Sequence, residues 1–452
     1  MRKMRVAIRE QLAALVLFAV LVALAIVSIP TWIYVNQFVI GVTLQELSLT
    51  ASLKSSRISS ELNLIQTSIE TITSRVLVQS ALNAFYDGNR TDANFVVARR
   101  DVESALSVGG LSNLLQGRIY SRNTTGDRRG VLNITGSHIP TIRLPYDGPD
   151  GQPLYLGDTE FGYPVELYPN VTYTDLGRPN MYNNKTEAFM VNAFPDVTLS
   201  TNGGLVLGPL VINESFALIS ITVPIRDVSN LMYILGYMTV VAQANNILAA
   251  ETSREGLGNT GIVLLVGPDS ASNRFNSSTP ASNSTYKPDK AAFGNLPVHF
   301  LLPPAPLEGQ ANRHSDRQYG NGTEDRPFAA KDFPAVMSSF SDQYDTINNA
   351  SAMLWTTNEQ GAKVAVGFAR TNTQLVNWTV VVEMAQAEAS TPISTLRNIL
   401  LGCVFGTAGL ILLLIFPCAH FSVMPIRRLK CKHSGAVSVQ CNARRVWRAS
   451  FC

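Results

Sequence analysis

Two runs of eighteen residues without a single charge fix what this chain can become. Leu12 to Ile29 reads LAALVLFAVLVALAIVSI, and Ile399 to Phe416 reads ILLGCVFGTAGLILLLIF. Extended to about Tyr34 and about His420, each crosses roughly 30 Å of hydrocarbon at about 1.5 Å per residue. The runs are predicted to be membrane helices over 12–34 and 399–420. No small-x-small cleavage site precedes Pro30 and Trp32, so the first is read as a retained anchor, not a signal peptide.

The flanks set the orientation. Residues 1–11 carry four basic residues and one acid, and the segment after His420 carries seven basic residues and no acid. Taken from totals of 36 Lys+Arg and 33 Asp+Glu, these leave 25 against 32 between the ends, a net −7. The predicted topology puts residues 1–11 and the C-terminal segment in the cytoplasm and 35–398 outside, at the plasma membrane. An overall +3 hides this asymmetry and gives no reason to expect nucleic-acid binding.

Two other counts agree with an exterior middle. N-x-[ST] sequons fall at Asn89, Asn123, Asn133, Asn170, Asn184, Asn213, Asn276, Asn283, Asn321, Asn349 and Asn377, all between the apolar runs. They are the candidate glycosylation sites of a glycoprotein. The five cysteines (Cys403, Cys418, Cys431, Cys441, Cys452) all lie in or after the second run. The outer region therefore contains no disulfide and folds on its core alone.

Leu44, Ser48, Ala51, Ser55, Ile58, Leu62, Ile65, Ile69, Ile72 and Val76 alternate at steps of four and three. The repeat, uninterrupted by Pro or Gly from Val42 to Asp87, predicts one helix of about 45 residues. Its stripe packs either on this chain's own domain or on a second copy. Strands are expected at Gly117–Arg122 and Val131–Thr135 (a hairpin), Phe216–Ile225, Leu235–Ala244, Gly261–Val266, Lys363–Phe368 and Asn377–Glu383. Residues 269–332 are rich in Asn, Ser and Pro and read as a loop-dominated insert. The fold class is α+β: two transmembrane helices flanking a long helix and two sheet units, 35–255 membrane-distal and 256–395 membrane-proximal.

Several stretches resemble a known family. VPIRDVSNLMYILGYMTVVAQANNI resembles the paired central strands of Cache domains, the PAS-like extracellular sensors. GLGNTGIVLLVGPDS resembles the entry to a second Cache unit, and VGFARTNTQLVNWTVVVEMAQAEASTPI its closing strands and exit helix. More narrowly, AIREQLAALV, ASLKSSRI, VHFLLPP, LVNWTVVV and FPCAHFSVMPIRRL resemble the sensor half of fungal osmosensing hybrid histidine kinases. The resemblance implies a double Cache sensor in a homodimeric membrane receptor for osmotic stress. In that family it drives a HAMP-type linker, a histidine-phosphotransfer helix pair, an ATP- and Mg-dependent kinase domain and a receiver that passes phosphate to a relay protein. Residues 421–430 match the start of the linker, with Pro425, Arg427 and Arg428 as signal-transfer residues.

The catalytic half is not expected here. None of His138, His299, His314, His420 and His433 is followed by an acid that could act as base. No cofactor, metal site, catalytic residue or kinase activity is expected of this chain, and a relay protein is met only through the family's output domains. Gly256-Leu257-Gly258-Asn259-Thr260-Gly261 is a literal G-x-G-x-x-G, but a helical stretch precedes it and a strand follows, the reverse of a dinucleotide site, so it reads as a flexible turn between the units. Arg226 and Asp227, at a joint between two strands, read as solvated turn residues before ligand contacts. Residues 431–452 form a basic tail without apolar periodicity and read as aberrant, from a missed splice site or frameshift. The alternative function is a non-enzymatic membrane glycoprotein or ligand-binding receptor with a short cytoplasmic tail.

Overall fold

The computed structural model describes residues 8–107, 114–137, 139–157, 159–194, 197–199, 204–275, 290–305, 313–320, 322–323, 325–415, 417 and 421. Two compact units divide it: residues 1–42 with 390–452, and residues 43–389. Pro425, Arg427, Arg428, Asn276, Asn283, Asn321 and the basic tail lie outside the described residues.

In the first unit, the opening part of helix α1 (Ile8–Thr73) and helix α8 (Thr391–Ile415) have the length and composition of membrane spans, with mean hydropathies of 2.7 and 2.3 in their most apolar windows. Their side chains face outward instead of packing into a protein core; Phe18, Ile26, Phe405 and Leu413 are 69%, 67%, 71% and 76% exposed. A large apolar surface of this kind is stable only against lipid or a partner.

The second unit begins with the rest of α1 and then α2 (Val76–Tyr86) and α3 (Asp92–Ser107). The predicted single helix to Asp87 is broken at Ser74-Arg75, and the break has a local cause. Thr71, Thr73 and Ser74 supply β-branched and hydroxyl side chains that compete for the helix's own carbonyls. Thr73 Oγ1 donates to Glu70 O and Ser74 Oγ to Thr71 O, both at 2.9 Å. Arg75 then adopts extended φ/ψ and pairs with Asp101 of α3 at 2.5 Å. Val76, the last residue of the expected stripe, is consequently exposed.

Most of the rest of the stripe is buried within this chain: Ala51, Ile58, Leu62, Ile65, Ile69 and Ile72 are at most 4% exposed, while Leu44 and Ser48 are half-buried. Two serines of this helix have backbone partners. Ser55 Oγ donates to Arg370 O at 2.5 Å, and Ser59 Oγ accepts from Asn372 N at 2.9 Å. A Cβ on Gly367 would collide with the Leu47 carbonyl group, so only glycine lets α1 lie this close to the strand beneath it.

Strands β1 (Leu114–Ser121), β2 (Leu132–Thr135), β3 (Arg143–Asp147), β4 (Pro153–Tyr155), β5 (Thr172–Asn180), β6 (Asn183–Phe194), β7 (Val197–Thr198), β8 (Leu205–Asn213), β9 (Phe216–Arg226) and β10 (Ile234–Gln243) come next. Five of them form an antiparallel sheet in the order β2-β1-β10-β9-β8. The expected hairpin is β1–β2, and the expected central pair is β9–β10. One face of this sheet takes α2 and α3; on the other, Leu115, Leu218 and Val241 pack under Leu144, Leu156, Tyr163, Leu167 and Tyr168. Helix α4 (Asn245–Thr252) leads to the second sheet.

That sheet uses β11 (Ile262–Pro268), β12 (Pro297–Phe300), β13 (Phe328–Ala329), β14 (Ser351–Thr357), β15 (Lys363–Arg370) and β16 (Thr379–Ala385), in the antiparallel order β13-β12-β11-β16-β15-β14. The insert is thus not all loop: besides helix α5 (Lys290–Phe293), it contributes two strands to the sheet. Helix α6 (Pro334–Ser341) covers one face, and Phe293, Phe300, Phe333, Phe340 and Phe368 fill the core beneath it. Helix α7 (Gln386–Ala389) follows β16 directly and precedes α8.

Candidate sensory cavity and exit joint

The first sheet opens into a cavity of about 640 Å³. Arg118, on β1, forms one wall. Its guanidinium lies 4.4 Å from the ring centre of Tyr163 and 4.6 Å from that of Tyr168, and its Nε donates to Asn133 Oδ1 at 2.8 Å. Tyr168 donates to Gln116 Oε1 at 2.9 Å, and Gln116 in turn donates to Gly157 O at 2.6 Å and Gly162 O at 3.2 Å. Through Gln116 these bonds fix the Tyr168 ring to the loop that covers the sheet. Tyr146 lines the opposite side, where burial first and the Glu166 carboxylate second raise its phenol well above the ordinary value. The arrangement offers a cation held between aromatic faces and a protonated phenol beside an acid.

The charged centre of the second sheet is buried. His314, wholly buried, bridges two carboxylates: Nδ1 lies 2.8 Å from Glu359 Oε1 and Nε2 lies 3.2 Å from Glu383 Oε2. Arg313 pairs with the other oxygen of Glu383. Burial opposes a charged imidazole, but the bonds to Glu359 and Glu383 outweigh it and raise its pKa to about 9. Burial likewise opposes an ionised Glu383, and the contacts with His314 and Arg313 hold that carboxyl below the ordinary value. A histidinium and a guanidinium from the insert therefore meet the Glu383 carboxylate in the interior, and Glu383 stands on β16, the last strand before α7 and α8.

The glycine-rich stretch meets the same strand. Glu388 of α7 accepts from Asn259 N at 2.6 Å and Thr260 N at 2.8 Å, and also from the Thr260 hydroxyl. Ala385 N donates to Thr260 Oγ1 at 3.0 Å, and Arg313 Nη2 donates to Thr260 O at 2.8 Å. A Cβ on Gly258 would enter the Glu388 carboxylate. The stretch expected to be a flexible turn is thus an anion cradle of backbone N–H groups, filled by a carboxylate of the same chain. Asn259 and Thr260 are fastened to the residues that lead into α8.

The remaining expectations sort by exposure. Asn89, Asn170, Asn184 and Asn213 are exposed, whereas Asn123, Asn133, Asn349 and Asn377 are half-buried. At Asn89 and Asn213 the Thr91 and Ser215 hydroxyls donate to the asparagine Oδ1, at 2.8 and 3.0 Å. At Asn349 the Nδ2 that would carry a glycan already donates to Ser339 O and Asp342 O. Asp227 closes a turn by accepting from Ser229 N at 2.8 Å, and Arg226 donates to Leu231 O, which agrees with the turn reading. Among the described residues no three His, Cys, Asp or Glu side chains are grouped to hold a metal.

Helices long and apolar enough to cross a membrane precede and follow, in sequence, a body with two large sheets and two small ones, an architecture that fits a membrane protein. The comparisons add the particular relative. The chain is 24% identical over 433 residues to the osmosensing histidine protein kinase SLN1 of Saccharomyces cerevisiae, a match covering 94% of this chain and 29% of that protein. The resemblance seen in short motifs thus holds along nearly the whole chain, while the chain spans under a third of the relative's length. No family model matches. Among solved structures, the periplasmic sensory domain of the Campylobacter jejuni chemoreceptor Tlp1 aligns with 78% of this chain and 99% of its own, at 9% identity and a TM-score of 0.38. The ligand-binding domain of the Pseudomonas aeruginosa amino acid chemoreceptor PctC, solved with GABA, covers 74% and 96%, at 14% identity and a TM-score of 0.33. These overlaps are loose, and nothing about ligand or partner passes from those receptors to this chain.

Proposed function

We propose that this chain is the sensor region of a transmembrane osmosensing receptor that works through a histidine-kinase phosphorelay. The observation that carries this reading is the 433-residue match to an osmosensing kinase. The order span, two-sheet body, span supports it. Residues 35–398 face outward as two Cache-type units, a glycoprotein surface, and both ends are cytoplasmic. The receptor is a homodimer. Because the heptad stripe is buried in its own unit, the second copy meets another face of α1, where Leu49 and Leu53, one turn apart, are 56% and 62% exposed. ATP, Mg and the relay protein belong to the output domains of the family. Pro425, Arg427 and Arg428 hand the signal to them.

Joining this chain to the cytoplasmic kinase portion of the yeast relative tests the proposal. A step in external osmolarity should change autophosphorylation of the chimera, and an output indifferent to osmolarity would count against it. Glycosidase treatment tests the topology: the mass should fall on digestion, with glycan on Asn89 and Asn213 and none on Asn349. A ligand-responsive receptor is a second reading, favoured by the cavity beside Arg118. It predicts that a soluble molecule shifts kinase output at constant osmolarity.

A further inference from the structure

A second cavity, of about 320 Å³, lies where the two sheets are tied together. The segment Ser272–Phe275 makes the tie. Asn273 Nδ2 donates to Val206 O and Gly208 O in the first sheet, while its Oδ1 accepts from Trp378 Nε1 beside the second, at 2.8 Å. Arg274 spans the same gap: Nε donates to Leu375 O at 2.9 Å, and Nη2 to Gly204 O at 2.7 Å and Gln374 O at 3.2 Å.

Arg274 is only 8% exposed, and no ion pair engages it among the described residues. Three backbone carbonyls take up Nε and Nη2. The two N–H bonds of Nη1 have no partner among the described residues, and their direction is fixed because the guanidinium is planar. Nη1 is not one of the buried polar atoms left without a partner, so solvent reaches it, and Arg274 borders the cavity. Ser270 and Ser272 line it as well, with their hydroxyls 3.0 Å apart. Asp269 stands at the same cavity, but it is half exposed and lies 3.9 Å from His299 Nδ1. Water screens that carboxylate far more than it screens Arg274, so the guanidinium dominates the field inside.

We propose that this cavity binds a small oxyanion, a carboxylate or a phosphate, on Arg274 Nη1 and the Ser270 and Ser272 hydroxyls. Such an anion would sit on the tie between the sheets and stiffen it. The site is separate from the Arg118 cavity and does not depend on the osmosensing reading.

Titrating the full chain in detergent with inorganic phosphate, and separately with acetate, at constant ionic strength and against chloride, tests the assignment. A saturable rise of a few degrees in Tm is expected with at least one of them, and which one responds identifies the class. Ala271→Trp, at the exposed rim and outside the tie, should weaken the response at least tenfold, as should Arg274→Gln. If Arg274→Gln does not fold, Ala271→Trp alone decides. The proposal is overturned if neither anion gives a saturable shift, or if Ala271→Trp responds like the parent chain.

Discussion

The two sheets treat charge in opposite ways. In the first, Arg118 is presented to an open cavity and stabilised by aromatic faces. In the second, Arg313, His314, Glu359 and Glu383 are turned inward and paired with one another, with Glu359 Oε2 alone left without a partner among the described residues. A cavity wall can exchange its partners with solvent or a ligand, whereas a closed network cannot lose a member without stranding the rest. The first sheet thus leaves a cation open to exchange, whereas the second ties β16 into its interior through Glu383.

The comparison breaks first at Glu383. Glu383→Gln leaves a buried guanidinium and imidazolium short of a counter-charge. It should cost about 3–5 kcal/mol, read as loss of stability of the unit Thr43–Ala389 in urea. Arg118→Met, by contrast, removes a cation from two ring faces and should cost on the order of 1–2 kcal/mol. If the two losses were equal, the contrast between the sheets would fail.

Between these lies a pH effect specific to the second sheet. The pKa of His314 is raised, so its contribution is complete below the unfolded value near 6.5 and lost as pH climbs through about 9. Glu383 is depressed, so its contribution is present above its ordinary value of 4.5 and lost as pH falls through its lower native value. The difference in Tm between the parent chain and His314→Gln should therefore be largest between about pH 5 and 6.5 and shrink toward pH 10. An unchanging difference would mean that the imidazole is not charged in the folded state.

Much of the frame was legible in the sequence. Uninterrupted apolar runs marked the spans. The mainly apolar runs FALISITVPI and LGYMTVVAQA marked β9 and β10, because a strand covered on both faces of its sheet carries apolar residues almost continuously. The seven-residue period marked the buried face of α1 but not its partner, since a stripe facing a sheet and one facing a second helix look alike. The long β5–β6 hairpin was invisible because its sequence, TYTDLGRPNMYNNKTEAFMVNAF, is polar and mostly exposed.

The site was much less legible. His314 is 45 residues from Glu359 and 69 from Glu383, and no local spacing carries a contact at that separation. The glycine stretch was read as a flexible turn, yet its backbone amides hold an anion. Glu388, in an unremarkable AQAEAS run, gave no sign of being that anion.

Glu388 also offers the sharpest test of the proposed function, in which the carboxylate seated on Asn259 and Thr260 fixes the residues that lead into α8. In the kinase chimera, Glu388→Ala removes that contact at a stability cost of about 1–3 kcal/mol, comparable to losing a few charge-assisted hydrogen bonds. The measurement is autophosphorylation through an osmotic step, with the variant present at the membrane in parental amounts. The account predicts an output that no longer follows osmolarity. An osmotic response equal to that of the parent would contradict it.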